Sequence, residues 1–203
     1  MEKKEVIQKF KLTTFQSEQI EKYISELIEF NKHTNLVGKS TLKNIWERHV
    51  ADCLQLSFFI SKKNLKIFDL GTGGGLPGIP LSILGYQNIF MIDSVGKKID
   101  FIRDVIKKLS LSAKTEKKRI ENLNIGRADL IISRALAPLY KLLSYSLLLS
   151  NKNTTSLFLK GRSVYNEIEM AKKNYHFNYE IYKSVSSEEG CVLKIKNLNE
   201  KKQ

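Results

Sequence analysis

Only two cysteines occur in the chain, Cys53 and Cys191, and they stand in unrelated apolar segments without CxxC spacing. A disulfide framework and a cysteine-based zinc site are thereby excluded, and the pair reads as buried thiols in a reducing compartment. No apolar run approaches the roughly 20 residues that a bilayer-spanning helix requires. The opening MEKKEVIQKFKLTTF has neither an apolar h-region nor a small-residue cleavage site, so no secretory signal is expected. A cytoplasmic protein without membrane contact follows. Histidine is scarce too, with three in the chain, and no Ser-His-Asp set or metal triad stands out. His176 falls in a strand-like pattern as a surface residue, and no metal is expected. There is no internal repeat, and only the closing NLNEKKQ looks disordered.

What is present is a 203-residue chain, enough for one good core with a small satellite element. Its 42% hydrophobic and 27% charged residues are ordinary for a globular protein. The formal charge of +13 is less ordinary, and residues 65–160 alone carry 15 Lys and Arg against 7 Asp and Glu. Clustered cations gain by releasing counterions from phosphates, which points to a polyanionic partner. A general lysine bias of the chain explains the same charge equally well.

From Ser17 to Phe30 the residues Ile20, Tyr23, Ile24, Leu27 and Ile28 recur at helical spacing, with Ser17 as the expected N-cap. Leu42, Ile45, Trp46, His49, Val50, Cys53 and Leu54 repeat that pattern on a second helix. Residues 1–62 thus read as an N-terminal helical extension, and residues 63–203 as the main domain. From Leu65 the rhythm changes to strand and helix in alternation. Strands are expected at 65–70, 88–93, 112–118, 129–134, 155–160, 176–184 and 190–196, with helices after Pro77, through Ile99–Leu109, over 138–150 and near 163–173. That alternation predicts an α/β fold, a mostly parallel seven-stranded sheet with helices on both faces. The last two strands follow each other directly and predict an antiparallel hairpin at the edge.

The stretch FDLGTGGGLPGIPLSI places Gly71, Gly73, Gly74 and Gly75 directly after the first strand. Ligands in open parallel sheets bind at the carboxyl ends of strands, so the position suits a binding loop. Its letters fit two templates. Gly73, Gly75 and Gly78 satisfy GxGxxG, the mark of a nicotinamide or flavin enzyme. Asp69, Gly71, Gly73 and Gly75 satisfy DxGxGxG, the pattern of class I methyltransferases that bind S-adenosylmethionine. A carboxylate at Asp69 repels a pyrophosphate but favours an ammonium or a sulfonium, which prefers the second template. A Walker loop is excluded, because Gly38-Lys39-Ser40 has His33 where the first glycine is required. Asp93 ends the second strand and suits the ribose hydroxyls of an adenosine, or alternatively caps the next helix.

Further polar residues stand at informative places. Arg48 and Asp52 are four apart on the second helix and read by themselves as a surface ion pair, with His49 as a hydrogen-bonded core histidine. Arg134 and Lys160 end successive strands on the ligand-binding edge, where they suit phosphates or a cofactor carboxylate, or else simply solvate helix and loop. Arg103, Lys107, Lys108, Lys114, Lys117, Lys118 and Arg119 form a basic stretch, in part a solvated face and in part suited to steering a polyanion.

DLGTGGGLPGIPLSI, MIDSVGKKIDFIRDV, ISRALAPL, LFLKG and the upstream NLVGKSTLKNIWERHVADCL resemble the RsmG (GidB) family, from about Tyr23 to the last strand. The run LPGIP is its most specific piece. The resemblance implies a Rossmann-like class I methyltransferase that moves a methyl group from S-adenosylmethionine to N7 of one guanosine in 16S ribosomal RNA. Large RNA sites need folded context, which favours the small ribosomal subunit over naked RNA as substrate; the oligomeric state is open, with a monomer favoured. The resemblance places cofactor contacts on Gly71, Leu76 and Arg134, and has Ile120 and Glu121 flank the adenine. Arg48, His49, Asp52 and Lys160 then become candidates for shaping the guanosine site. Two departures stand out: Gly74 replaces a common loop proline, and EEGCVLKIK lacks a basic residue before the last strand. Guanine N7 carries no proton, so in-line displacement needs no general base and no catalytic dyad is expected. The alternatives are an NAD-dependent oxidoreductase using Gly73, Gly75 and Gly78, and a non-catalytic ribosome assembly factor.

Overall fold

Seven strands run in the spatial order β3-β2-β1-β4-β5-β7-β6 in the computed structural model, which describes residues 1–201. The strands are β1 (Ile67–Leu70), β2 (Ile89–Asp93), β3 (Lys114–Lys117), β4 (Ala128–Arg134), β5 (Ser150–Lys160), β6 (Tyr175–Lys183) and β7 (Cys191–Glu200). The first five pair in parallel, while β7 runs antiparallel between β5 and β6. The expected hairpin is therefore present, but inserted so that β7, not β6, neighbours β5. The chain leaves β1 on one side for β2 and returns on the other side as β4. That reversal opens a crevice at the carboxyl ends of β1 and β4.

Alternation along the strands sorts their side chains between two cores. Ile67, Met91, Ile132 and Leu157 join the core covered by α2 (Thr14–Asn31), α4 (Gly78–Ile83) and α5 (Gly96–Lys108). Phe68, Ile92, Ile131 and Phe158 join the other, covered by α6 (Leu139–Leu149) and α7 (Val164–Ala171). Apolar residues of the N-terminal stretch, including Val6 of α1 (Lys3–Phe10) and Tyr23, Leu27 and Leu54, pack into the first of these cores.

Three local expectations are corrected. Helix α2 starts earlier than Ser17. Thr13 is its cap, with a reciprocal box in which Gln16 N–H donates to Thr13 Oγ1 and Thr13 N–H to Gln16 Oε1, both at 3.1 Å. Ser17 lies inside the helix and is buried. The second helix is not regular: it winds as 3₁₀ (Lys39–Asn44), π (Trp46–Ala51), one α turn (α3, Asp52–Leu54) and 3₁₀ again (Gln55–Phe59). The regular helix on which Arg48 and Asp52 read as an ion pair is thus replaced by an irregular one, and Asp52 pairs instead with Arg134. The tail expected to be disordered continues β7 to Glu200, where Tyr175 pairs with Glu200 and His176 with Asn199; residues 202 and 203 lie outside the described residues.

Tyr23 fastens the N-terminal stretch to the glycine loop, its hydroxyl donating to the Gly74 carbonyl at 2.8 Å in a buried setting. Tyr23→Phe leaves that carbonyl without its partner and is expected to lower stability by about 1–3 kcal/mol, read as a lower urea midpoint at unchanged slope.

Candidate active site

The loop between β1 and α4 is built around Asp69. Because strand side chains alternate, Asp69 points into the first core, between its register partners Met91 and Ile132, and is wholly buried. Its Oδ2 accepts from Thr72 Oγ1 at 2.6 Å and from Gly78 N–H at 2.9 Å. Gly78 allows that approach, since a Cβ there would lie 2.8 Å from Asp69 Oδ2 and 2.7 Å from Met91 Sδ. Gly71, at φ +67°, turns the chain out of β1 with no room for a side chain beside Leu136. Burial pushes the Asp69 carboxyl up to about 7, against the hydrogen bonds from Thr72 and Gly78. Its Oδ1 has no hydrogen-bond partner among the described residues. Asp69 therefore shapes the loop from beneath.

Asp93 is the carboxylate that faces the crevice. Its Oδ2 accepts from Gly73 N–H at 3.2 Å and its Oδ1 from Val95 N–H at 2.9 Å. Lys98, one turn into α5, stands 3.7 Å from the same carboxylate. Asp93 thus ties the loop to β2 while lining a cavity of about 330 Å³ with Gly71, Ile120, Glu121 and Leu136. A second cavity, of about 300 Å³, continues past Gly71, Lys98 and Ala135 to Gly73, Leu76, His49 and Arg134. A third, of about 320 Å³, lies beyond Arg134 and Ala135 and is lined by Arg48, Asp52, Lys160 and Glu167. The three follow one another along the carboxyl edge of the sheet.

Arg134 stands in the wall between the second and third cavities. Its guanidinium donates to His49 Nδ1 at 2.8 Å and to the Arg48 carbonyl at 3.2 Å, and its Nε lies 3.3 Å from Asp52 Oδ2. Burial, with Arg134 and Arg48 nearby, drives His49 down to about 3, so its imidazole is neutral. With Nδ1 accepting from Arg134, the proton sits on Nε2 and points to Thr41 Oγ1 at 2.6 Å; Thr41 in turn donates to the Gly38 carbonyl. His49 is held by two hydrogen bonds and positions Arg134. Burial also raises Cys53, beside the same guanidinium, to about 12, which keeps its thiol protonated. Asp52 Oδ1 accepts from Ser186 Oγ at 2.8 Å and from Gln55 Nε2 at 2.9 Å, which docks the β6–β7 connection onto this wall.

Lys160 has 10% of its side chain exposed and lies 2.5 Å from Glu167 Oε2. Glu167 also accepts from Leu139 N–H and Ser163 Oγ, each at 2.7 Å. Burial acts to raise its carboxyl, but Lys160, Ser163 and Leu139 together outweigh that and leave it below the usual range.

The crevice thus gathers Gly71, Gly73, Leu76, Asp93, Ile120, Glu121 and Arg134, with His49 at its wall and Arg48, Asp52 and Lys160 in the third cavity. Asp69 and Gly75 line none of the three cavities and lie in the framework beneath the loop. Arg48 makes no ion pair with Asp52, whose partner is Arg134. Sequence reasoning missed Lys98, Thr41, Ser186 and Glu167. Lys98 alone had a local signal, a cation in the first turn after the Asp93 strand. Glu167 and Ser186 lie far along the chain from the loop and reach the site only through folding.

A sheet of this order, with a glycine loop after β1 and an acidic residue ending β2, is of the Rossmann-like class, and methyltransferases share it. Solved structures share the fold: a TehB-like SAM-dependent methyltransferase from Corynebacterium glutamicum aligns with TM-score 0.58 at 16% identity, over 78% of this chain and 95% of that one. The magnesium protoporphyrin IX methyltransferase of Synechocystis, solved with bound SAM, aligns with TM-score 0.59 at 12% identity, over 82% and 90%. The model of the family rRNA small subunit methyltransferase G (GidB) matches residues 16–196. The ribosomal RNA small subunit methyltransferase G of Orientia tsutsugamushi (strain Ikeda) is 37% identical over 174 residues, covering 86% of this chain and 87% of that protein. The chain belongs to the rRNA small subunit methyltransferase G family, and it is an rRNA methyltransferase.

Asp69 and His49 pull the pH dependence of stability in opposite directions. Asp69 titrates near 7 folded against 3.8 as the unperturbed value, so the folded state holds its proton more tightly and loses stability as pH rises from about 4 to 7. His49 titrates near 3 against 6.5, so the unfolded state takes up the extra proton and stability is lost as pH falls from about 6.5 to 3. Asp69→Asn removes the first contribution alone. Relative to the native chain, the variant is expected to gain stability progressively between pH 4 and 7, on the order of a few kcal/mol in urea unfolding.

Proposed function

We propose that the chain transfers the methyl group of S-adenosylmethionine to N7 of one guanosine in 16S ribosomal RNA, acting on the small ribosomal subunit as a cytoplasmic monomer. The observation that carries this reading is the row of three contiguous cavities with Arg134 in the wall between the second and third. The first two suit a nucleoside with a cationic amino-acid tail, and the third suits the base that accepts the methyl group.

The residues fit that cofactor. Gly71 leaves space for close approach, Asp93 offers a carboxylate to ribose hydroxyls, and Ile120 and Leu136 present apolar surface to a planar base. Beneath the loop, the Asp69 carboxyl holds Thr72 and Gly78 in place and so supports the loop from within the core. When bound, S-adenosylmethionine supplies an electrophilic methyl group on a positively charged sulfur.

The chain's own contribution is positioning. Guanine N7 has an in-plane lone pair and no proton, so no residue must act as base. Neutral His49, protonated Cys53 and the ion-paired Asp52 are consistent with that. Holding two reactants in line supplies up to about 7–11 kcal/mol of the barrier in the best-oriented cases. Arg134, fixed by Asp52, His49 and the Arg48 carbonyl, is a rigid edge against which both occupants align.

A dinucleotide fits less well. The Gly73 N–H, which a pyrophosphate would need, is already given to Asp93 Oδ2, and that carboxylate repels phosphate. The NAD-dependent alternative therefore predicts NADH binding where this reading predicts none.

Incubation of the protein with labelled S-adenosylmethionine and small subunits lacking the modification, followed by nucleoside mass spectrometry, is expected to yield 7-methylguanosine. Transfer to no nucleoside would leave the non-catalytic assembly factor as the better account. In calorimetry, Asp93→Asn is expected to weaken S-adenosylmethionine binding about tenfold, through loss of charge-assisted hydrogen bonds.

A further inference from the structure

In a chain with a formal charge of +13, the third cavity is electrically balanced. Three cations line it, Arg48, Arg134 and Lys160, and three carboxylates, Asp52, Glu167 and Glu189. A phosphate would call for an excess of cations. The accepting base calls for something else, because methyl transfer changes its charge. The N7 lone pair forms the new bond to the methyl carbon, the electrons of the carbon–sulfur bond stay on sulfur, and no proton moves. The positive charge thus passes from sulfur to the guanine ring, which enters neutral and leaves as a cation.

An uncompensated cation beside that ring would oppose the step, and strongly so in a desolvated site. Arg134 is compensated by Asp52, and its Nε, Nη1 and Nη2 are all engaged, with Asp52, Cys53, His49 and the Arg48 carbonyl. Lys160 and Glu167 line the third cavity and neither of the other two. Their charged ends lie 2.5 Å apart, with 10% and 19% of the side chains exposed. Burial opposes ionisation of Glu167, but Lys160, Ser163 and the Leu139 amide outweigh it and keep the carboxylate charged. A lysine ammonium carries three N–H groups. For Lys160, Glu167 takes one and the Ala137 carbonyl, at 3.2 Å, another, which leaves one for an occupant of the cavity. Guanine presents the acceptor O6 beside N7 on the same edge, where adenine presents an amino donor. One N–H held at O6 therefore selects guanine and sets N7 in place. Pairing with Glu167 lets Lys160 do this without a net charge next to the nascent cation.

We propose that Glu167 is a positioning residue for methyl transfer: it aims the Lys160 ammonium at O6 of the target guanine and cancels its charge as the base becomes cationic. This rests on the methyl-transfer reading above. It adds to that reading the group that selects guanine and the group that offsets the charge of the product.

The binding probe is a single-stranded oligoribonucleotide with one guanosine. It is compared with the same strand carrying 7-methylguanosine, or 2-aminopurine riboside, which lacks O6, at that place. Affinities are read with S-adenosylhomocysteine saturating, and turnover is measured on unmodified small subunits. The native protein is expected to bind the 7-methylguanosine strand at least as well as the guanosine strand, and the 2-aminopurine strand about tenfold more weakly. Glu167→Gln removes the charge at constant size. It is expected to weaken the 7-methylguanosine strand about tenfold or more relative to the guanosine strand, and to lower kcat by a similar factor with little change in KM. Glu167→Gln/Lys160→Met removes both charges. It is expected to restore the native ratio of 7-methylguanosine to guanosine affinity while losing the preference over 2-aminopurine. If Glu167 serves only to tie the starts of α6 and α7 together, Glu167→Gln leaves both ratios native, and that result overturns the proposal. So does a double variant that recovers nothing, or a native protein that does not distinguish guanosine from 2-aminopurine. Unchanged S-adenosylmethionine affinity by calorimetry establishes that each variant is folded. Where Glu167→Gln does not fold, Lys160→Met alone decides, and an undiminished preference over 2-aminopurine overturns the proposal. A native protein that methylates no subunit RNA defeats the underlying reading itself, whereas native activity with unaffected Glu167→Gln ratios defeats the role of Glu167 alone.

Discussion

Between the end of β1 and the start of α4 the chain makes a tight, glycine-rich excursion, and the buried Asp69 carboxylate holds its two ends together. One oxygen receives the Thr72 hydroxyl and the Gly78 amide. Without that grip the loop would have to find other partners for a buried amide and hydroxyl, which are costly to leave unpaired. The loop in turn offers its Gly73 amide to Asp93 and its Gly74 carbonyl to Tyr23. Strand β2, the N-terminal helix α2 and the crevice floor are thus all referred to one carboxylate. The arrangement keeps a charge-bearing group inside an apolar core, a destabilising feature whose location directly below the binding loop gives it a use.

Arg134 plays the corresponding part at the other end of the crevice. It is a partly buried cation satisfied on several sides, by the carboxylate of Asp52, the lone pair of His49 and the carbonyl of Arg48. Arg48 lies in the π segment Trp46–Ala51 and Asp52 follows it directly, so both meet Arg134 at the end of β4. Asp52 also holds Ser186, so the β6–β7 connection, the irregular N-terminal segment and β4 meet at a single wall. Networks of this kind specify one geometry, because every member left unpaired would carry a large desolvation cost. The wall separates the second cavity from the third and fixes their relative geometry.

Much of the fold was legible because its signals are local. Alternating apolar residues, glycines after the first strand and the break in rhythm at Leu65 each depend on neighbours within a few positions. The details that escaped have equally physical reasons. Helix α2 begins at Thr14 because a Thr13–Gln16 box outcompetes the equally plausible cap at Ser17. The NLNEKKQ tail looks polar enough to be disordered, yet Asn197 to Glu200 continue β7 alongside β6, where backbone pairing outweighs composition. Helical periodicity from Leu42 to Leu54 cannot distinguish α from π winding, since both bury one face.

By itself, the sequence determined the class of fold, the place of the glycine loop and the family, because each is written in short contiguous runs such as DLGTGGG and LPGIP. It also marked Asp93, Arg134 and Lys160 as strand-end residues on the functional edge. Only the tertiary structure decided which way they face and what they meet. Asp69 and Asp93 share one face of the sheet by register, but Asp69 sits within β1 opposite Met91 and is wholly buried, whereas Asp93 lies two residues further toward the carboxyl edge and lines the crevice. Lys160 looked like a free cation and is held by Glu167, while Arg48 and Asp52 looked like a pair and are not. Burial and pairing are set by residues dozens of positions away, and no local pattern carries that information.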